Sequence, residues 1–90
     1  MDRDICFVID DMVDALHKLV ESNIIGQSTF HDILEGSLAP IQRKAKYTAP
    51  EAMFLRWVEL DRVVDRFLLY SGGVLTGYET VVLAYLDKWE

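Results

Sequence analysis

From Met53 to Tyr70 the chain reads MFLRWVELDRVVDRFLLY, and its apolar residues recur with the period of a helix. Met53, Trp57, Leu60, Val64, Phe67 and Leu68 follow the i, i+3, i+4, i+7 spacing that gathers side chains on one face. Leu55, Val58, Val63, Leu69 and Tyr70 are also apolar and lie off that face. A helix coated on more than one side belongs inside a core, or between a core and a partner. The pattern predicts a central helix over 49–71.

Ile5, Val8, Ile9, Met12, Leu16, Leu19 and Val20 form a second apolar stripe, predicting a helix over about 3–23. Asp2 and Asp4 stand at its start, where carboxylates cap a helix or face the positive end of its dipole. Asn23 and Gly26 supply stop signals at its end. The opposite face carries Asp10, Asp11, Asp14, Lys18 and Glu21, and at about 100° per residue Phe7 projects onto it. Tyr78, Val82, Tyr85, Leu86 and Trp89 define a last helix over about 77–89.

Three Thr-x-x-Asp/Glu segments precede apolar runs: Thr29 to Asp32, Thr48 to Glu51 and Thr76 to Glu79. In a capping box the threonine oxygen accepts an N–H three residues on, and the acid reaches back to the threonine N–H. These segments predict a short helix over about 29–36, stopped at Gly36, and the starts of the 49–71 and 77–89 helices. Residues 37–47 read either as an irregular crossover or as a small helix over 40–46 with Pro40 in its first turn. Gly72-Gly73 ends the central helix. The expected fold is all-α, a compact bundle of three main helices and one or two short ones, in a single domain spanning 1–90.

Composition narrows the function. Hydrophobic residues make up 51% of 90 residues, more than one small core readily hides, which favours a dimer or complex. The net charge of −6 argues against general nucleic-acid or anionic-membrane binding and permits a basic protein partner. Cys6 is the single cysteine, so no intramolecular disulfide forms, and no signal-peptide pattern is present; a cytoplasmic setting is expected. No apolar run reaches the ~18–20 residues of a membrane span.

Candidate chemistry is sparse. Asp14 and His17 stand three apart, but a helical carboxylate metal site needs a second such pair, and His31-Asp32 does not supply it. Asp61 and Asp65 are one turn apart but interleave with Arg62 and Arg66, as on an exposed, ion-paired helix face. Asp61 falls at the angle between Phe54 and Leu68, where a carboxylate needs a partner or favours its neutral form. Cys6 has no neighbouring histidine and reads as a small packed hydrophobe. No catalytic, metal or cofactor-binding set assembles.

The charge distribution is uneven. Residues 1–35 hold eight acidic and two basic side chains, and residues 36–50 hold Arg43, Lys44 and Lys46 with no acid. That basic segment either neutralises carboxylates of the first helix or docks an acidic partner. With the 29–36 helix and a turn at Gly36 it also has the outline of a helix-turn-helix.

The expected function is a small non-enzymatic, intracellular interaction module that occludes a partner protein, such as an inhibitor, anti-activator, immunity or antitoxin-like factor, or adaptor. It is expected to self-associate as a dimer. Phe7, Asp10, Asp14, Arg43, Lys44, Lys46, Tyr70, Tyr85 and Trp89 are the candidate partner-binding residues. The alternative is a nucleic-acid-related regulator, binding DNA through 42–47 or mimicking its backbone through the first helix.

Overall fold

A computed structural model describes residues 4–67 and 76–87, and every regular element among them is helical. Helix α1 spans Asp4–Glu21, α2 Gln27–Ile33, α3 Ala39–Ala45, α4 Phe54–Phe67 and α5 Thr76–Asp87. A π turn over Leu34–Leu38 joins α2 to α3, and a 3-10 turn over Pro50–Ala52 leads into α4. The fold is the expected all-α bundle.

The stripe of α1 packs inward as its spacing requires: Ile5, Ile9, Met12, Leu16 and Leu19 are buried. Asn23 ends this helix in the left-handed region, at φ 59°. Its N–H donates to the Val20 carbonyl at 3.0 Å, and the Ile24 N–H donates to the Leu19 carbonyl at 2.9 Å. That paired closure satisfies carbonyls the last turn would otherwise leave open. Asparagine tolerates the conformation better than most residues, which is why the stop was legible.

Gly36 is a correction to the sequence reading. It does not stop a helix; the chain stays right-handed from Ile33 through Lys46. Within the π turn the Ala39 N–H reaches back five residues to the Leu34 carbonyl. Pro40 explains the wide turn, because it has no N–H and its ring would strike the carbonyl four residues earlier in an α-helix. The buried Ile33 and Leu38 are five apart, which an α-helix would set about 140° from each other. The wider turn, closing every five residues, brings both inward. Residues 27–45 therefore form one continuous helical run carrying Phe30, Ile33, Leu38, Ile41 and Ala45 into the core.

A Cβ on Gly36 would meet nothing within 4 Å, and the residue is exposed. Gly36→Ala is thus expected to stabilise the domain by about 0.5–1 kcal/mol, measured by urea denaturation. A left-handed helix stop would give the opposite sign.

Two of the expected capping boxes do not form. Gly26, not Thr29, caps α2, which puts Thr29 inside the helix. The Thr48 hydroxyl turns back and donates to the Lys44 carbonyl at 2.6 Å, and Ala49 is the extended residue before the 3-10 turn. Such local bonds compete with capping for the same hydroxyl. Thr76 opens α5 rather than preceding it. The expected caps at Asp2 and stop at Gly72-Gly73 lie outside the described residues.

Met53, Trp57, Leu60 and Val64 are buried, so the inner face of α4 is the one its spacing names. Helix α4 packs between α3 and α5, and α3 in turn packs against α1. The buried apolar residues form one cluster drawn from all five helices. No helix among the described residues is long and apolar enough to cross a membrane.

Candidate interaction surfaces

The outward face of α1 is built by the same periodicity that buries its stripe. Phe7 is 62% exposed, against a structure in which most large apolar side chains are covered. Asp10, Asp11 and Asp14 follow it by three, four and seven residues, so all three carboxylates share its side of the helix. Each is exposed. Asp10 is partly committed, since its Oδ1 accepts from Gln42 Nε2 at 2.8 Å. The same Gln42 amide donates to the Cys6 carbonyl at 3.3 Å, tying α3 to α1. Asp11 gives only its backbone carbonyl, which accepts from the Tyr78 hydroxyl at 3.1 Å. Burial, then Asp11 and Asp14, push the Tyr78 hydroxyl above its ordinary pKa, so it remains a donor. Among the described residues nothing pairs with the carboxylates of Asp11 and Asp14, and both residues are exposed.

The basic segment does not form one patch. Lys44 Nζ lies 3.4 Å from Glu59 Oε2 on α4, not against α1. Glu59 also takes Arg56 Nη2 at 2.7 Å. Lys46 sits on the α1 side, where its charge is felt at the Cys6 thiol. Arg43 is exposed. The outline of a helix-turn-helix is absent from the backbone, because α2 and α3 continue through a π turn where that motif needs a sharp bend.

Tyr85 is half-buried and stacks on Trp57 with ring centroids 4.2 Å apart and planes 6° from parallel. It is therefore part of the α4–α5 packing. Tyr70 and Trp89, the remaining candidates, lie outside the described residues.

A second exposed apolar surface lies on α4 and α5. Leu55 is 45% exposed, Phe54 is 38% exposed and Val58 is half-buried, on the side of α4 away from the core. On α5, Val81 and Leu83 are 38% and 46% exposed. Glu79 and Asp87 are the charged residues of α5, and Val81, Leu83 and Ala84 share its exposed positions with Thr80 and Asp87. That signal was present in the sequence: a helix apolar all round is expected to be covered all round.

The remaining polar residues named from the sequence include Cys6, His17 and His31. Burial, then Asp10, push the Cys6 thiol above its ordinary pKa, keeping it protonated and a poor nucleophile. His17 lies beside the Phe30 ring, centroids 5.0 Å apart, and His31 Nδ1 lies 3.7 Å from Glu35 Oε1. Among the described residues no three His, Cys, Asp or Glu side chains converge as a metal site.

Asp61 is half-buried, and its carboxyl is pushed above the ordinary carboxylate range by burial and then by Asp65. No cation pairs with it among the described residues. A raised folded-state pKa means the folded chain holds this proton more tightly than the unfolded one. The resulting penalty is absent below the unfolded value of about 3.9 and fully present above the folded value. Asp61→Asn is therefore expected to raise the Tm at pH 7 and to leave it unchanged near pH 3. A lower Tm at pH 7 would show that the carboxylate has a stabilising partner.

No protein-family model, curated protein or solved structure matches this chain.

Proposed function

We propose that the chain is a non-enzymatic interaction module that self-associates and binds a partner protein through the outward face of α1. The observation that supports this reading is Phe7, 62% exposed with three carboxylates around it. Exposing an aromatic ring to water gives up the burial free energy that a partner's surface would recover. Aromatic side chains are enriched in the buried centre of interfaces, and a polar rim surrounds them. Here the rim is acidic, so it complements a basic partner, steering its approach and fixing its orientation. Covering that partner's basic surface is how an inhibitor, anti-activator or antitoxin-like factor would act, and an adaptor would use the same contact.

The reading is tested by retaining partners from a lysate of the native host on three immobilised versions of the chain. These are the native chain, Phe7→Ala, and the double variant Asp11→Asn with Asp14→Asn. Asp10 is left intact because Gln42 depends on it. All are surface changes expected to shift stability by no more than about 0.5 kcal/mol. A basic protein held by the native chain and lost from both variants, more weakly held as salt rises, supports the reading. Equal retention by all three contradicts it. Retention of nucleic acid instead, abolished by Arg43→Glu with Lys46→Glu, would favour the DNA-binding alternative.

A further inference from the structure

The outward side of α4 carries a second pattern that the α1 face does not explain. Leu55, Val58, Arg62 and Asp65 of α4 are spaced three, four and three residues apart, and the exposed Glu51 stands four residues before Leu55 in the 3-10 turn. That is the spacing of a coiled-coil seam, which stays on one side of a helix. Leu55 and Val58 form its apolar centre, with Glu51 before them in the 3-10 turn and Arg62 after them. Glu51 and Arg62 are exposed and take no ion-pair partner among the described residues. They are eleven residues apart, roughly 16 Å along a helix, too far to pair within one chain.

From this we infer that the occupant of the face is a second copy of the chain, packed with its α4 antiparallel to the first about a two-fold axis. In that arrangement Leu55 lies opposite the partner's Val58, and Glu51 lies opposite the partner's Arg62. The two-fold axis repeats both pairings, so four apolar side chains are flanked by two opposite-charge pairs. A parallel pairing would oppose Glu51 to itself and Arg62 to itself, which is repulsive on both sides. The charge order thus selects the antiparallel form. The Trp57–Tyr85 stack places the C-terminal half of α5 beside this stretch of α4.

This inference rests on the reading that the chain self-associates, and it adds the face and the direction. It leaves the outward side of α1 uncovered, so each dimer would offer two copies of the Phe7 surface to a partner.

The test is the mass in solution, by light scattering and sedimentation, of the native chain and four variants. The native chain is expected at twice its 10.4 kDa mass at concentrations of about 100 μM. Leu55→Glu is expected to be monomeric with unchanged helical circular dichroism, because the residue is exposed in the single chain. Glu51→Arg and Arg62→Glu should each weaken dimerisation at least about tenfold. The combined Glu51→Arg, Arg62→Glu variant should recover most of that loss, which only pairing between chains can produce. A monomeric native chain would overturn self-association itself. A dimer indifferent to Leu55→Glu and to both single charge reversals would overturn the face assignment alone. Failure of the double reversal to rescue would overturn the antiparallel direction.

Discussion

Replacing Trp57 with alanine is expected to cost about 3–5 kcal/mol of folding stability. The indole is buried between α4 and the rest of the core, and its face lies flat on the Tyr85 ring at 4.2 Å. Truncation removes the burial of a large side chain, leaves a cavity that helices on two sides cannot both collapse into, and strands Tyr85. A 90-residue domain is stable by only about 5–13 kcal/mol in total, so the variant should sit close to its unfolding threshold. The measurement is urea denaturation followed by far-UV circular dichroism. A double-mutant cycle with Tyr85→Ala should return a coupling of about 0.5–1.5 kcal/mol for the stacked pair. A loss below about 1 kcal/mol would mean that Trp57 is not a core residue, contrary to its burial.

Deleting Gly36 is the second large effect. A one-residue deletion in a surface loop is normally tolerated. In this chain it would convert the π turn to an α-helical one and bring the ring of Pro40 against the carbonyl four residues before it. That conflict costs about 3 kcal/mol or more. The core side is kept, because without Gly36 the residues Leu38, Ile41 and Ala45 fall four, seven and eleven positions after Ile33, on one α-helical face, so the cost rests on Pro40. Loss of cooperative unfolding, or a loss of stability above about 3 kcal/mol, is the expected result. A deletion variant as stable as the native chain would show that residues 34–40 are an adaptable connection. Gly36→Ala, at the same position, should stabilise, so the two changes bracket the role of the turn.

How much of this was legible in the sequence depended on how regular each element is. The inner faces of α1 and α4 follow unbroken α-helical periodicity, and the residues it selects, Ile5 to Leu19 and Met53 to Val64, are the buried ones. The small helix over 40–46 was one of the two readings of its segment, and α3 at Ala39–Ala45 is that helix. The turn over 34–38 was not legible because Leu38 and Ile33 share a face only through a turn wider than the α-helical period. Pro40 stands in the first turn of that helix, as expected, and also causes the widening before it. The threonine signals misled at Thr29 and Thr48 because a hydroxyl has more than one backbone group within reach, and at Thr48 the preceding carbonyl won.

The candidate surface was read in part. Phe7 and its carboxylates came from helical angle alone, and the exposure of all four agrees. Tyr85, named as a partner-binding candidate, is half-buried and its ring stacks on Trp57 within the α4–α5 packing. Gln42 drew no notice, since a neutral amide carries no charge pattern, yet it joins α3 to α1 through two acceptors. Leu55 and Val58 fall off the main face of α4 in the sequence, and Leu55 stands 45% exposed there.

The most direct measurement of the central claim is photo-crosslinking in native host cells, with a crosslinking aromatic residue in place of Phe7. The same group at exposed Ser28 on α2 serves as the control position. The proposed role predicts a discrete adduct with a basic protein from position 7, absent from position 28. It should also be lost when Asp11 and Asp14 are both changed to asparagine. An adduct pattern at position 7 no different from that at 28, or one indifferent to neutralising both carboxylates, would contradict it.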